Sequence, residues 1–143
     1  MNYAKTGAVF FILWGVLHII GGGAILAALS DSPEAGFAIY QESAASYTEL
    51  AGGVLGYLAF TFVWIAAAVT YVAIRYNWRN SQDGLMLNTA LVGFTDLGLI
   101  IFLVLPGFLG WADAAPGLLL FIGGAVFGGI ACQSSHAPEK AAA

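Results

Sequence analysis

The sequence predicts an all-α integral membrane protein, a single domain of residues 1–143 whose four transmembrane helices run up, down, up and down. Composition indicates the membrane, because the 143 residues are 60% hydrophobic and only 8% charged, whereas soluble domains carry about 25% charged residues. Four apolar segments have about the 20 residues that a helix needs to cross a bilayer. They are residues 7–29, 50–74, 85–105 and 114–132.

The distribution of charge predicts the orientation of these helices. The basic residues are Lys5, Arg75, Arg79 and Lys140, and an even number of spans places all of them on one side. Because cytoplasmic loops carry the excess of basic residues, we expect both termini in the cytoplasm and the protein in the cell (inner) membrane. There is no basic patch that would indicate a nucleic-acid partner.

The first external loop, residues 30–49, carries a helix-start pattern. Ser32 is a candidate N-cap, Pro33 suits the first helical position, and Glu34 places an acid in the first turn. The residues that then share one helical face are Phe37, Tyr40, Ala44 and Tyr47. The pattern predicts a short amphipathic helix at about residues 33–48, lying at the outer membrane interface.

Asp96 is the unusual residue of the third span, which reads LNTALVGFTDLGLIIF over residues 87–102. A carboxylate in hydrocarbon costs about 3 kcal/mol or more, so it usually has a partner and a purpose. Asp96 and His18 both lie about 11 residues, or about 17 Å, from the predicted cytoplasmic ends of their spans. Thr61 reaches the same depth from the other side. We therefore predict a proton-sharing pair, His18 and Asp96, between the helices.

Other residues are predicted to surround this pair. Tyr57, Thr61 and Trp64 follow helical spacing on the second span, and Asn88 precedes Asp96 by about two turns. The residues predicted to form the binding site around the pair are Trp14, Tyr57, Thr61, Trp64 and Asn88. Asn88 would form its cytoplasmic approach, since a polar stripe on a membrane helix normally faces the bundle interior.

Several functions fit a buried pair of histidine and carboxylate. Histidine titrates near neutrality, so the pair suits proton handling or the binding of a hydrophobic small molecule. If the protein is an enzyme, acid/base isomerisation or hydration of a lipid-like substrate fits best. The alternatives are a purely structural hydrogen bond between helices and a pairing with another subunit. The single Cys132 and the absence of a Cys/His pattern predict no metal and no cofactor.

Glycine pairs predict where helices pack closely. Gly52 and Gly56 form one GxxxG motif in the second span, and Gly124 and Gly128 form another in the fourth. Small residues at this spacing let helix backbones approach each other. Together with the small size of the chain, they favour the competing hypothesis of a non-catalytic accessory subunit, in a homo-oligomer or a larger membrane complex.

Overall fold

The computed structural model describes residues 2–32 and 49–136, and every regular element in these two stretches is helical. The long helices are α1 (Tyr3–Asp31), α2 (Glu49–Arg75), α3 (Gln82–Leu99) and α4 (Trp111–His136). A 3₁₀ turn, Asn77–Arg79, follows α2, and a π-helical turn, Ile100–Val104, continues α3. The amphipathic helix predicted at residues 33–48 lies outside the described residues.

The prediction of four apolar helices of membrane-spanning length is confirmed. Within the described stretches, four helices are long and apolar enough to cross a membrane. They are Tyr3–Asp31, Val54–Arg79, Gln82–Val104 and Trp111–Ser134. The helices extend past the apolar segments because their ends depend on capping of the backbone and not on hydropathy. At the start of α1, for example, the Asn2 side chain accepts a hydrogen bond from the backbone nitrogen of Lys5, so the helix begins before residue 7.

A tight turn connects α2 to α3. Asn80 has a φ of 61°, a left-handed conformation that asparagine tolerates better than most residues. Its backbone nitrogen donates to the carbonyl oxygen of Asn77 at 2.9 Å. Ser81 then caps α3, because its hydroxyl accepts a hydrogen bond from the backbone nitrogen of Gly84 at 3.2 Å. The start of α3 therefore lies beside the end of α2.

Small residues set the contact between α1 and α2. A Cβ atom on Gly15 would overlap the hydroxyl of Thr70 and lie 2.7 Å from the carbonyl oxygen of Ala66. A Cβ atom on Gly22 would lie 2.9 Å from a methyl carbon of Val63. Gly15 contacts Ala66, whereas Gly22, which is later in α1, contacts Val63, which is earlier in α2. The contacts therefore follow opposite orders along the two helices. Only glycine fits at these two positions of α1 without movement of α2.

The backbones of α1 and α4 approach each other closely at glycines. A Cβ atom on Gly7 would lie 2.6 Å from the backbone nitrogen of Gly128 and 3.1 Å from the carbonyl oxygen of Gly124. Gly124 also lies against the ring of Phe11. Backbone contacts of this kind supply the van der Waals packing that holds membrane helices together.

Of the predicted glycine pair of α2, Gly56 is packed less tightly. Gly52 is buried. A Cβ atom on Gly56 would lie 3.6 Å from Leu29, which is an ordinary van der Waals distance. The packing seen here would therefore accommodate a larger residue at position 56.

The core lies where α1, α2 and α3 meet. Its buried members are Phe11, Trp14, Ala66, Val69, Ala73 and Val92. A smaller cluster of Ile25, Leu55 and Ala59 continues it between α1 and α2. α3 packs against α2 and α4, and α1 packs against α2 and α4. Large apolar side chains such as Ile20, Phe94 and Phe102 point outward, as expected for a surface that meets lipid.

Candidate functional site: a tryptophan between a buried aspartate and a histidine

Asp96 lies on the buried face of α3. The buried residues of this helix recur at every fourth position, namely Gly84, Asn88, Val92 and Asp96. Four-residue spacing keeps side chains on one side of a helix, so the same face that packs the core carries the carboxyl group inward. Only 4% of Asp96 is exposed. The residue that sequence analysis singled out is therefore an interior group.

The partner of Asp96 is the indole of Trp14. The Nε1–H of Trp14 donates a hydrogen bond to Oδ1 of Asp96 across 3.3 Å. The other carboxyl oxygen, Oδ2, is buried and has no hydrogen-bond partner among the described residues. An ionised carboxylate with so few donors would be strongly destabilising in a core, so a proton or a further partner has to complete this site.

His18 contacts both the backbone and the ring of the same tryptophan. Its Nδ1 lies 2.8 Å from the carbonyl oxygen of Trp14, one helical turn earlier on α1. The two rings are stacked, with centroids 3.9 Å apart and planes at 23°. A carbonyl oxygen can only accept, so Nδ1 carries the hydrogen of this bond and Nε2 is the acceptor of the neutral imidazole.

The sequence predicts that His18 and Asp96 share a proton, but it leaves open whether their side chains touch. No hydrogen bond or ion pair joins them in the described part of the chain, and Trp14 contacts both. The reason is geometric: the indole is long enough to fill the core between α1 and α3, and its single N–H points at the carboxyl group. We call these three residues the His18–Trp14–Asp96 cluster.

The His18 ring also contacts residues of α2 and α4. It is stacked with the ring of Phe62 at a centroid distance of 6.1 Å. On α4, a Cβ atom on Gly117 would lie 3.5 Å from Nε2 of His18 and 3.2 Å from its Cε1. The absence of a side chain at Gly117 therefore lets the imidazole pack closely against the backbone of α4. Neither Phe62 nor Gly117 belongs to a sequence motif, so the sequence does not predict their place beside His18.

Asn88 is buried but lies apart from the cluster. Its Nδ2 donates to the carbonyl oxygen of Val69 at 3.2 Å, which connects α3 to α2. Eight residues of helix, about 12 Å, separate it from Asp96, and the fully buried Val92 lies between them on the same face. A continuous polar approach from Asn88 to Asp96, as the sequence predicts, is interrupted by this valine.

The predicted aromatic wall is on the outside of the protein. Tyr57 is 70% exposed and Trp64 is 62% exposed. Thr61 lies between them, and its hydroxyl donates to the carbonyl oxygen of Tyr57 at 2.9 Å. The opposite face of α2 carries Ala59 and Ala66, which are small enough for α1 to pack against. Close packing therefore selects the alanine face for the core and leaves the aromatic face outside.

No group of three or more histidine, cysteine, aspartate or glutamate residues within residues 2–32 and 49–136 is arranged to hold a metal ion. Comparison with protein-family models, curated proteins and solved structures found no match to this chain.

Proposed function

We propose that this chain is a multi-pass membrane protein whose His18–Trp14–Asp96 cluster holds and exchanges a proton inside the helix bundle. The observation that carries the proposal is the buried carboxyl group, which has a single hydrogen bond among the described residues and an unpartnered Oδ2. A proton on Oδ2 would remove the buried charge, while the indole N–H continues to bind Oδ1. Ionisable groups inside membrane proteins commonly serve proton transfer or ligand binding.

The same cluster suits the polar end of a hydrophobic small molecule. Nε2 of His18 is the acceptor nitrogen, and it lies beside the backbone of Gly117 on α4. A hydroxyl group that reaches this position can donate to Nε2, while its apolar part lies among the helices or in the lipid. A bound molecule of this kind would place its exchangeable hydrogen next to the cluster.

The proposal includes the topology of the chain, an up-down-up-down bundle in the cell membrane with both termini in the cytoplasm. A helix at about residues 33–48 would lie at the outer membrane interface. The opposite order of the contacts between α1 and α2 favours antiparallel neighbours. The short turn between α2 and α3 favours the same for the next pair. The basic residues at one end agree with this orientation. Labelling with a membrane-impermeant thiol reagent, at Lys5→Cys and Asp113→Cys in a Cys132→Ser background, tests it.

Infrared spectroscopy of the protein in lipid tests the proton site. We expect a carboxylic-acid carbonyl band that shifts in D₂O and disappears in Asp96→Asn, while Asp113→Asn, which changes an exposed carboxyl group, retains it. We also expect His18→Gln to change the rate at which the Asp96 proton exchanges for deuterium, because the proposal gives the imidazole a part in this exchange. A spectrum in which Asp96→Asn leaves every protonated-carboxyl band unchanged would overturn the proposal.

A second candidate function is an accessory subunit of a larger membrane complex. The observation that favours it is the aromatic stripe on the outer face of α2, where Tyr57, Trp64 and Tyr71 repeat at every seventh residue and are exposed. Such a stripe can pack against a partner helix as well as against lipid. Native mass spectrometry from mild detergent separates the two functions, since it detects a bound small molecule or a partner chain directly.

A further inference from the structure

A small cavity lies at the end of the bundle where α2 turns into α3. Its volume is about 10 Å³, which is room for one water molecule. The lining residues come from four parts of the chain: the turn, the first turn of α3, the first turns of α1 and the second half of α4. They include Asn77, Asn80, Ser81, Ala8 and Cys132. We call this space the turn cavity.

Asn77 contributes an unsatisfied amide to the turn cavity. The residue is only 6% exposed. Neither Oδ1 nor Nδ2 of its side chain has a hydrogen-bond partner within the described stretches. The amide lies so close to α3 that a Cβ atom on Gly84 would be 2.6 Å from Oδ1. Buried amides without partners are rare and destabilising, so this one indicates a ligand that supplies the missing bonds.

The other polar groups around the cavity already have partners. Nδ2 of Asn80 donates to the carbonyl oxygen of Ala131 at 3.3 Å, and Sγ of Cys132 lies 3.6 Å from Oδ1 of Asn80. The hydroxyl of Ser81 accepts from the backbone of Gly84. These bonds connect the turn to α4, and they leave the amide of Asn77 as the group that requires a ligand.

We propose that the turn cavity is a binding site for a single water molecule, with the side-chain amide of Asn77 as its main ligand. Water matches both the volume and the chemistry, because it can donate to Oδ1 or accept from Nδ2. It would connect the α2–α3 turn to α1 and α4 at the end of the bundle that carries Arg75 and Arg79. This site is separate from the His18–Trp14–Asp96 cluster and does not depend on its proposed function.

Nuclear magnetic resonance of the full chain in lipid nanodiscs tests the site directly. We expect cross-relaxation between water and two reporters, the Asn77 side-chain amide and the Ala8 methyl group, with the sign of a water that stays bound for nanoseconds or longer. The wild-type measurement alone decides between a hydrated and a dry cavity. Absence of water contacts at both reporters would overturn the proposal.

Two controls identify the ligand. Asn77→Leu removes the amide and should abolish the water contact at Ala8, whereas Asn88→Leu changes another buried amide outside the cavity and should retain it. Titration with sodium chloride, compared with choline chloride, tests for a cation instead. We expect no sodium-specific shift of the Asn77 amide, and a saturable sodium-specific shift would overturn the assignment to water.

Discussion

The indole nitrogen of Trp14 lies 3.3 Å from a carboxyl oxygen of Asp96, although the two residues are 82 positions apart. The bond connects α1 to α3, whose main packing partners are otherwise α2 and α4. The same tryptophan stacks on His18, so one side chain contacts both ionisable groups of the core. Trp14 is therefore the residue whose replacement should affect the site most.

Trp14→Phe should destabilise the protein by about 1–3 kcal/mol, because it removes the hydrogen-bond donor of a buried carboxyl group and part of the ring that fills the core. Thermal unfolding in detergent measures the loss. The matched control is Trp64→Phe, which makes the same change at an exposed position and should alter stability by less than about 0.5 kcal/mol. Equal losses in both variants would contradict the role assigned to Trp14.

The double variant Asp96→Leu and Trp14→Phe should lose less unfolding free energy than the two single variants lose in total. Each single change leaves one buried polar group without its partner, whereas the double change removes both groups. A double-mutant cycle on unfolding free energies should give a coupling of about 0.5–3 kcal/mol. Strict additivity would show that the hydrogen bond contributes nothing, and proton exchange at the site should be lost in the double variant in either case.

Gly7→Ala should separate α1 from α4 and lower stability by about 1–3 kcal/mol, since the new methyl group would lie 2.6 Å from the backbone nitrogen of Gly128. Gly21→Ala is the matched control on the same helix, because its Cβ would meet no atom within 4 Å. That change should be neutral or stabilising by up to about 1 kcal/mol through helix propensity. If unfolding experiments showed Gly21→Ala to be less stable than Gly7→Ala, the close packing of Gly7 against α4 would be contradicted.

Fluorescence quenching by lipids with brominated chains should distinguish the tryptophans. A variant that retains only Trp14 should be protected, because this side chain is fully buried in the core. A variant that retains only Trp64 should be strongly quenched, because that ring is exposed on the outer face of α2. Similar quenching of the two would contradict either the burial of Trp14 or the membrane position of α2.

Much of the fold can be predicted from hydropathy, but the choice of helix faces cannot. In a soluble helix the apolar face points to the core, whereas in a membrane helix both faces are apolar and the hydrophobic effect does not choose between them. For α2, the aromatic face with Tyr57 and Trp64 and the small face with Ala59 and Ala66 were both possible interiors. Close packing against Gly15 and Gly22 of α1 decides for the small face.

The sequence by itself determined that the protein is helical, that it has spans long enough to cross a membrane, and that Asp96 is an ionisable group inside one of them. These properties follow from the cost of exposing backbone and charge to lipid, which depends on composition and length. Only the tertiary structure decided that Trp14 comes between Asp96 and His18, and that Asn77 faces a cavity. Two residues at equal depth, such as His18 and Asp96, can face each other or not, depending on how each helix is rotated about its axis. The packing of specific side chains selects one rotation.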